Sequence, residues 1–148
     1  MKILIASDHA GFELKEYLKQ SFPQLEWIDE GPSSVNKVDY PDYAQIVAKK
    51  VSKNTVERGV LVCGSGVGMA IVANKFPQVR AVAAESEFSA KLSRSHNDTN
   101  ILCLGARLLS PEYAKDIFKI WLETSFERGR HEKRIQKILE IEKNLTGV

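Results

Sequence analysis

The chain has 148 residues, which suits one domain over 1–148 that buries roughly 68–70% of the surface of its unfolded form. Lysine and arginine number 21 and aspartate and glutamate 19, and the net charge of +2 argues against nucleic acid or an anionic membrane as the chief partner. The chain has two cysteines without metal-ligand spacing, which argues against a disulfide scaffold and a zinc site. No apolar run approaches the ~18 residues of a membrane span, which argues against a membrane helix. A soluble cytoplasmic protein is therefore expected.

Five short apolar runs alternate along the chain with amphipathic stretches, which is the pattern of a parallel sheet covered by helices on both faces. The helical stretches follow Asp8, Pro41 and Ser110-Pro111, and we interpret their apolar stripes as core-facing. The prediction is therefore an α/β fold, a three-layer α/β/α sandwich around a five-stranded parallel sheet. The predicted strands span 2–6, 26–29, 59–63, 80–84 and 100–104.

The stretch after Gly129 predicts an extra C-terminal helix, beyond the helices that the sheet needs. A wide apolar stripe at the end of a chain often marks a contact between subunits. We therefore expect this helix to dock on a second copy of the chain. Its apolar positions are Ile135, Ile138, Leu139, Ile141 and Leu145.

The third predicted strand ends in Cys63 and leads into a glycine-rich turn and then a helix. Glycines let the backbone approach a bound oxyanion, and the start of a helix offers unpaired N–H donors. The same field favours the thiolate of Cys63. This segment is therefore predicted to supply a base or nucleophile beside an oxyanion hole. The turn reads Gly64, Ser65, Gly66, Val67 and Gly68.

Chemically useful residues follow three of the predicted strands. Asp8-His9 comes after the first strand, Cys63 ends the third, and Arg107 follows the fifth. Because ligands bind at the carboxyl ends of strands in open parallel sheets, these side chains are expected to open on one edge.

Other polar residues precede the fifth strand or lie on the last helix. His96-Asn97 is expected near the opposite edge of its own subunit, and a second subunit could bring it to the site. Arg130 and Arg134 are four residues apart, so on a helix they project from one side and could clamp a phosphate, although a solvated face is the plainer interpretation.

Each candidate also has a purely structural interpretation. Asp8 and Ser65 could cap helices, and Cys63 could be an inert buried side chain. His9 could be incidental, and His96 could be a histidine favoured by the dipole at the end of a helix. Sequence alone leaves these alternatives open.

The glycine turn also resembles a dinucleotide-binding fingerprint, with Glu85 about twenty residues later as a ribose-binding acid. Two details argue against this interpretation: Met69 stands where the third glycine belongs, and the loop follows the third strand instead of the first. A sugar-phosphate sensor without enzymatic activity is a third alternative, but it leaves the thiol of Cys63 without a purpose.

Motifs spread over nearly the whole length give a more specific identification. Together they resemble the sugar-phosphate isomerase family that contains type B ribose-5-phosphate isomerase and the galactose-6-phosphate isomerase subunits, whose Rossmann-like fold agrees with the predicted sandwich. The motifs are Ser7-Asp8-His9-Ala10-Gly11-Phe12, Asp39-Tyr40-Pro41, Cys63-Gly64-Ser65-Gly66-Val67-Gly68, Ala73-Asn74-Lys75, Arg80-Ala81, Ser93 to Asn100, Gly105-Ala106-Arg107 and Gly129-Arg130-His131.

The resemblance implies an isomerase that needs neither metal nor nucleotide and interconverts ribose 5-phosphate and ribulose 5-phosphate in the non-oxidative pentose phosphate pathway. Cys63 would be the base that forms an enediolate, and backbone N–H groups of Gly64, Gly66, Val67 and Gly68 would stabilise the enediolate oxygens. Ser65 would help to move a proton between O1 and O2.

The resemblance also implies a homodimer, or a tetramer, whose sites are shared between subunits. His96 would open the sugar ring, and it would come with Asn97 from the neighbouring subunit. Asp8 would bind sugar hydroxyls, and Tyr40 would shape the pocket. Allose 6-phosphate and galactose 6-phosphate stay open as alternative substrates. The phosphate would be held by His9, Arg107, Arg130 and Arg134.

Overall fold

A computed structural model describes residues 1–147, and its centre is one sheet of five parallel strands in the order β2-β1-β3-β5-β4. The α/β prediction is confirmed. The strands are β1 (Lys2–Ser7), β2 (Glu26–Asp29), β3 (Gly59–Cys63), β4 (Ala81–Ala83) and β5 (Ile101–Gly105). The helices are α1 (Phe12–Ser21), α2 (Tyr40–Ser52), α3 (Val67–Ala73), α4 (Glu87–Asn97), α5 (Pro111–Glu123) and α6 (Arg130–Thr146).

Helices cover both faces of this sheet because its strands carry apolar side chains on both sides. Ile5, Val62 and Leu104 pack on one face with residues of α1 and α5. Leu61 and Cys103 pack on the other face with residues of α2 and α3. This double burial explains why β1, β3 and β5 read as continuous apolar runs without alternation.

The predicted fourth strand, 80–84, is wrong at both ends. The backbone N–H of Arg80 donates to the side-chain oxygen of Asn100 at 2.8 Å instead of to the backbone of β5. A side chain thus replaces one ladder partner at the start of β4, which is three residues long. The predicted first strand, 2–6, ends one residue too early, and the predicted fifth strand, 100–104, begins and ends one residue too early.

None of the helices formed by residues 1–147 is long and apolar enough to cross a membrane. The extra C-terminal helix is present as α6. Of its apolar stripe only Ile135 is buried, whereas Ile141 is 60% exposed. Docking of α6 on a second copy therefore stays a prediction, and an apolar surface is available for it.

A buried lysine on α1 binds the end of β2 and the loop that follows it. Lys15, whose side chain is inaccessible to solvent, donates to both carboxylate oxygens of Asp29 at 2.8 and 2.9 Å and to the carbonyl oxygen of Pro32 at 2.7 Å. Partial burial raises the pKa of Asp29, but hydrogen bonds from Lys15 and Lys19 outweigh it and hold this pKa below its ordinary value. The loop that leads to α2 is therefore held by ionic contacts.

Lys15→Met should destabilise the fold by about 2–3 kcal/mol, because it leaves the Asp29 carboxylate and the Pro32 carbonyl without their buried donor. Lys19→Met, which removes the more exposed partner of Asp29, should cost less than about 1 kcal/mol. Urea unfolding at one fixed protein concentration measures both. Equal losses for the two variants would contradict a special role for Lys15.

The Asp29 carboxylate should also make stability depend on pH. Because its folded-state pKa is lowered, its stabilisation is complete above about pH 4 and is lost as the pH falls through the lowered value. The difference in unfolding free energy between the wild type and Asp29→Asn should therefore be largest near neutrality and shrink in acid. A difference that stays constant from pH 7 to pH 2 would contradict this assignment.

Candidate active site

Cys63 lies at the carboxyl end of β3, opposite Gly105 on β5, and is 4% exposed. The backbone N–H of Gly66 donates to its Sγ at 3.1 Å. An N–H that points at a sulfur is the contact that a thiolate accepts. The predicted juxtaposition of the thiol with the glycine turn is therefore present.

The shape of the turn depends on two of its glycines. Gly66 has φ +77°, a left-handed conformation that side chains rarely adopt, and it immediately precedes α3. A Cβ at Gly68 would lie 2.6 Å from Cζ of Tyr40, so the tyrosine ring covers the turn. Ser65 is not the helix cap, although its Oγ accepts a hydrogen bond from the N–H of Val67 at 3.3 Å.

Asp8 and His9 lie beside this turn, directly after β1. Asp8 is buried, and its Oδ1 accepts from the N–H of Gly11 at 3.0 Å. Since Gly11 is the residue that caps α1, Asp8 stabilises the preceding turn and is not itself the cap. The Nδ1 of His9 lies 3.0 Å from the carbonyl oxygen and 3.2 Å from the nitrogen of Val38, which ties the imidazole to the loop before α2.

Arg107 completes this group of residues. Its backbone N–H donates to the carbonyl oxygen of Gly64 at 3.0 Å. A Cβ at Gly64 would come within 3.2 Å of Nη1 of Arg107, so the exposed guanidinium lies against the glycine turn. We call Asp8, His9, the segment 63–68 and Arg107 the carboxyl-edge group.

The remaining predicted residues gather at the other edge. His96 and Asn97 end α4, just before β5, and the His96 ring stacks on that of His131 with centroids 4.3 Å apart. Arg130 and Arg134 lie on the first turns of α6, beside His131. We call His96, Asn97, Arg130 and Arg134 the amino-edge group.

The whole of β5 separates the two groups within one chain. Cys63 pairs with Gly105, the last residue of β5, whereas His96 lies five residues before its first residue, Ile101. Five strand residues span roughly 15 Å, which is more than one sugar phosphate can bridge while touching catalytic groups on both sides. Within one chain, the carboxyl-edge group and the amino-edge group therefore lie at opposite edges of the sheet.

Some residues near these groups were not assigned a role by the sequence. Glu127 and His131 lie in the amino-edge region, with His131 Nε2 3.5 Å from Glu127 Oε2. Their spacing of four residues is the signal that could have drawn attention to them. Cys103, by contrast, is buried in the core as predicted, and burial raises the pKa of its thiol.

A profile of the family described as Ribose/Galactose Isomerase matches residues 3–138. The chain belongs to this family. Met69 is buried in the core at the position where a dinucleotide fingerprint needs its third glycine, so the isomerase interpretation replaces the dinucleotide one.

Individual members of the ribose/galactose isomerase family match along nearly their full length. The ribose-5-phosphate isomerase B of Escherichia coli is 45% identical over 143 residues, which cover 95% of this chain and 96% of that protein. The structure of the Clostridium thermocellum ribose-5-phosphate isomerase B superimposes with a TM-score of 0.95 at 43% identity and covers 98% of this chain and 99% of that one. The Mycoplasma genitalium ribose-5-phosphate isomerase B, solved with bound ribulose-5-phosphate, gives a TM-score of 0.91 at 41% identity, with 96% of each chain covered.

Proposed function

We propose that this protein interconverts ribose 5-phosphate and ribulose 5-phosphate through an enediolate, with Cys63 as the base. One observation carries the proposal: the thiol of Cys63, at the end of β3, accepts the N–H of Gly66 in a chain whose ribulose-5-phosphate-binding relative has the same fold. The family profile covers residues 3–138, which supports the further proposal that 1–148 acts as one isomerase domain.

The reaction needs a base next to donors that stabilise negative charge. Cys63 removes the proton from C2 of the open-chain sugar and returns it to C1. N–H groups of the turn from Gly64 to Gly68 stabilise the enediolate oxygens. Ser65, exposed beside them, moves a proton between O1 and O2. These steps use protein groups alone.

A complete site needs two chains, because the carboxyl-edge group and the amino-edge group lie at opposite edges of the sheet and each forms one half-site. In a two-fold dimer of opposed chains, the carboxyl-edge group of one copy meets the amino-edge group of the other. His96 and Asn97 of the second copy then reach the sugar, where His96 opens the ring and Asn97 binds it. Asp8 of the first copy binds sugar hydroxyls.

The phosphate is held by cationic groups from both half-sites. His9 and Arg107 approach from the carboxyl-edge group, and Arg130 and Arg134 from the amino-edge group. All three arginines are exposed in the single chain, so their guanidinium groups are free to bind an anion.

The surface next to the amino-edge group supports assembly of copies. A groove of about 630 Å³ runs between α6 and β4, and Asn97, Val82, Ile138 and Ile141 line it. Exposed apolar residues at a groove are typical of contacts between proteins. We propose a homodimer, or a tetramer built from such dimers, that works in the cytoplasm in the pentose phosphate pathway.

The assay that tests this function uses purified protein with a chelator and no added nucleotide. Ribose 5-phosphate, allose 6-phosphate and galactose 6-phosphate are offered separately, and ketose formation is followed. We expect preference for ribose 5-phosphate. Activity on a hexose phosphate alone would mean the same type of reaction on a different substrate. Binding of a sugar phosphate without turnover would favour a sugar-phosphate sensor without enzymatic activity.

Arg130→Gln and Arg134→Gln should each raise KM for ribose 5-phosphate by roughly 10–100-fold, the worth of a charge-assisted hydrogen bond, with a smaller effect on kcat. Lys133→Gln is the matched control, because Lys133 is an exposed cation on the same turn of α6 and has no proposed contact. Steady-state kinetics at constant ionic strength measure all three. An unchanged KM in both arginine variants would refute the phosphate clamp.

A further inference from the structure

Three side chains with metal-binding donor atoms converge at the amino edge of the sheet. His96 is in the last turn of α4, His131 is in the first turn of α6, and Glu127 lies in the connection between α5 and α6. One donor atom from each side chain lies within 4.8 Å of the other two. Separate elements of the fold thus bring two imidazoles and a carboxylate together.

Backbone and packing contacts hold this cluster in place. The N–H of Glu127 donates to the carbonyl oxygen of Ser95 at 3.0 Å, which anchors the connection to the end of α4. The rings of His96 and His131 stack with planes 15° apart, and His131 is only 4% exposed. The three residues are therefore gathered before any ligand arrives.

We propose that His96, Glu127 and His131 bind a divalent transition-metal ion such as Zn²⁺, and that the bound ion inhibits the isomerase. Two imidazoles and one carboxylate form a donor set that Zn²⁺ prefers, with the fourth position left for water. Binding depends on the geometry of the cluster alone, whereas inhibition rests on the proposed function of His96.

The cluster needs only side-chain movement to close around an ion. Bonds of about 2.1 Å in a tetrahedral arrangement place donor atoms roughly 3.4 Å apart, so separations of up to 4.8 Å must contract by up to about 1.4 Å. Glu127 is exposed and His96 is half-buried, so both side chains can rotate towards an ion.

The charges that face the cluster limit its affinity for a cation. Arg130 and Arg134 lie near His131 on α6 and repel a positive ion, so a modest affinity is expected, which is suited to reversible inhibition.

Inhibition follows because a coordinated imidazole has no free lone pair. In the proposed mechanism His96 exchanges a proton with the sugar to open the ring. With its ring nitrogen bound to Zn²⁺, His96 cannot make that exchange. The ion is therefore an inhibitor and not a cofactor.

Calorimetry with ZnCl₂ tests binding without reference to activity. The titration uses Cys63→Ala, which removes the thiol at the carboxyl edge as a competing zinc ligand. We expect one ion per chain, at least about tenfold weaker binding when Glu127→Gln is added, and unchanged binding when the exposed Glu132→Gln is added as the matched control. Equal affinity with and without Glu127→Gln, or no binding to Cys63→Ala, would overturn the site.

The activity measurement uses the wild type and Glu127→Gln, which leaves the proposed machinery intact. Zinc should inhibit the wild type, EDTA should restore it, and Glu127→Gln should need about tenfold more zinc for half-inhibition. Equal sensitivity of the two proteins would place the inhibitory ion elsewhere and refute inhibition through this cluster. A protein that binds zinc as predicted but isomerises no sugar phosphate would keep the metal site and reject the proposed function.

Discussion

Cys63→Ala is expected to lower kcat for ribose 5-phosphate isomerisation by about 10²–10⁴-fold, the usual contribution of a general base. In the proposed step the Sγ of Cys63, beside the Gly66 N–H, takes the C2 proton as a thiolate and becomes a thiol, and alanine offers no acceptor there. The side chain is small and lies at a strand end, so the fold and substrate binding should persist. Kinetics, together with calorimetric binding of ribose 5-phosphate, separate the two effects.

Cys103→Ala is the matched control for this substitution. Cys103 lies two residues before Gly105, the β5 partner of Cys63, and its thiol is fully buried in the core. Its loss should cost about 1 kcal/mol of stability and leave kcat close to that of the wild type. Retained turnover in Cys63→Ala, or an equal loss in Cys103→Ala, would show that the base is a different group.

Co-expression of Cys63→Ala and His96→Ala chains should recover activity that neither variant has alone. If each site takes Cys63 from one chain and His96 from the other, a heterodimer contains one intact site and one doubly damaged site. Random assembly makes half of the dimers mixed, so about a quarter of the wild-type activity is expected.

The control for this experiment pairs Cys63→Ala with the double variant Cys63→Ala/His96→Ala. No pairing of those chains restores a thiol, so activity should stay at the background. We expect the first mixture to show more activity than the sum of its two parent variants, and the second mixture to show no recovery of activity. No recovery in the first mixture would mean that Cys63 and His96 do not share a site across an interface.

Much of the fold could be predicted because its signals are local. The strands β1, β3 and β5 are buried on both faces, so each reads as an uninterrupted apolar run. The start of α5 could also be predicted, since Ser110 accepts the N–H of Tyr113 and Pro111 follows it. The start of β4 could not, because the N–H of Arg80 there donates to the side chain of Asn100, twenty residues away.

Some features of the candidate site could also be predicted from local patterns, whereas others could not. Placement of Cys63, Asp8 and Arg107 at one edge follows from strand order, and the position of His96 at the other edge follows from the direction of α4. The buried contacts of Lys15 with Asp29 and Pro32, and the approach of Glu127 to His96, depend on packing between distant segments. A pattern of residue types carries no signal of such contacts.

Proton exchange with solvent tests the enediolate mechanism most directly. Wild-type protein is incubated with ribose 5-phosphate in D₂O, with a chelator and without nucleotide, and the products are followed by nuclear magnetic resonance. We expect ribulose 5-phosphate that carries deuterium at C1, because the thiol exchanges its proton with solvent before returning it, and no such product from Cys63→Ala. Conversion without any deuterium would indicate direct hydride transfer, and no conversion at all would contradict the proposed function.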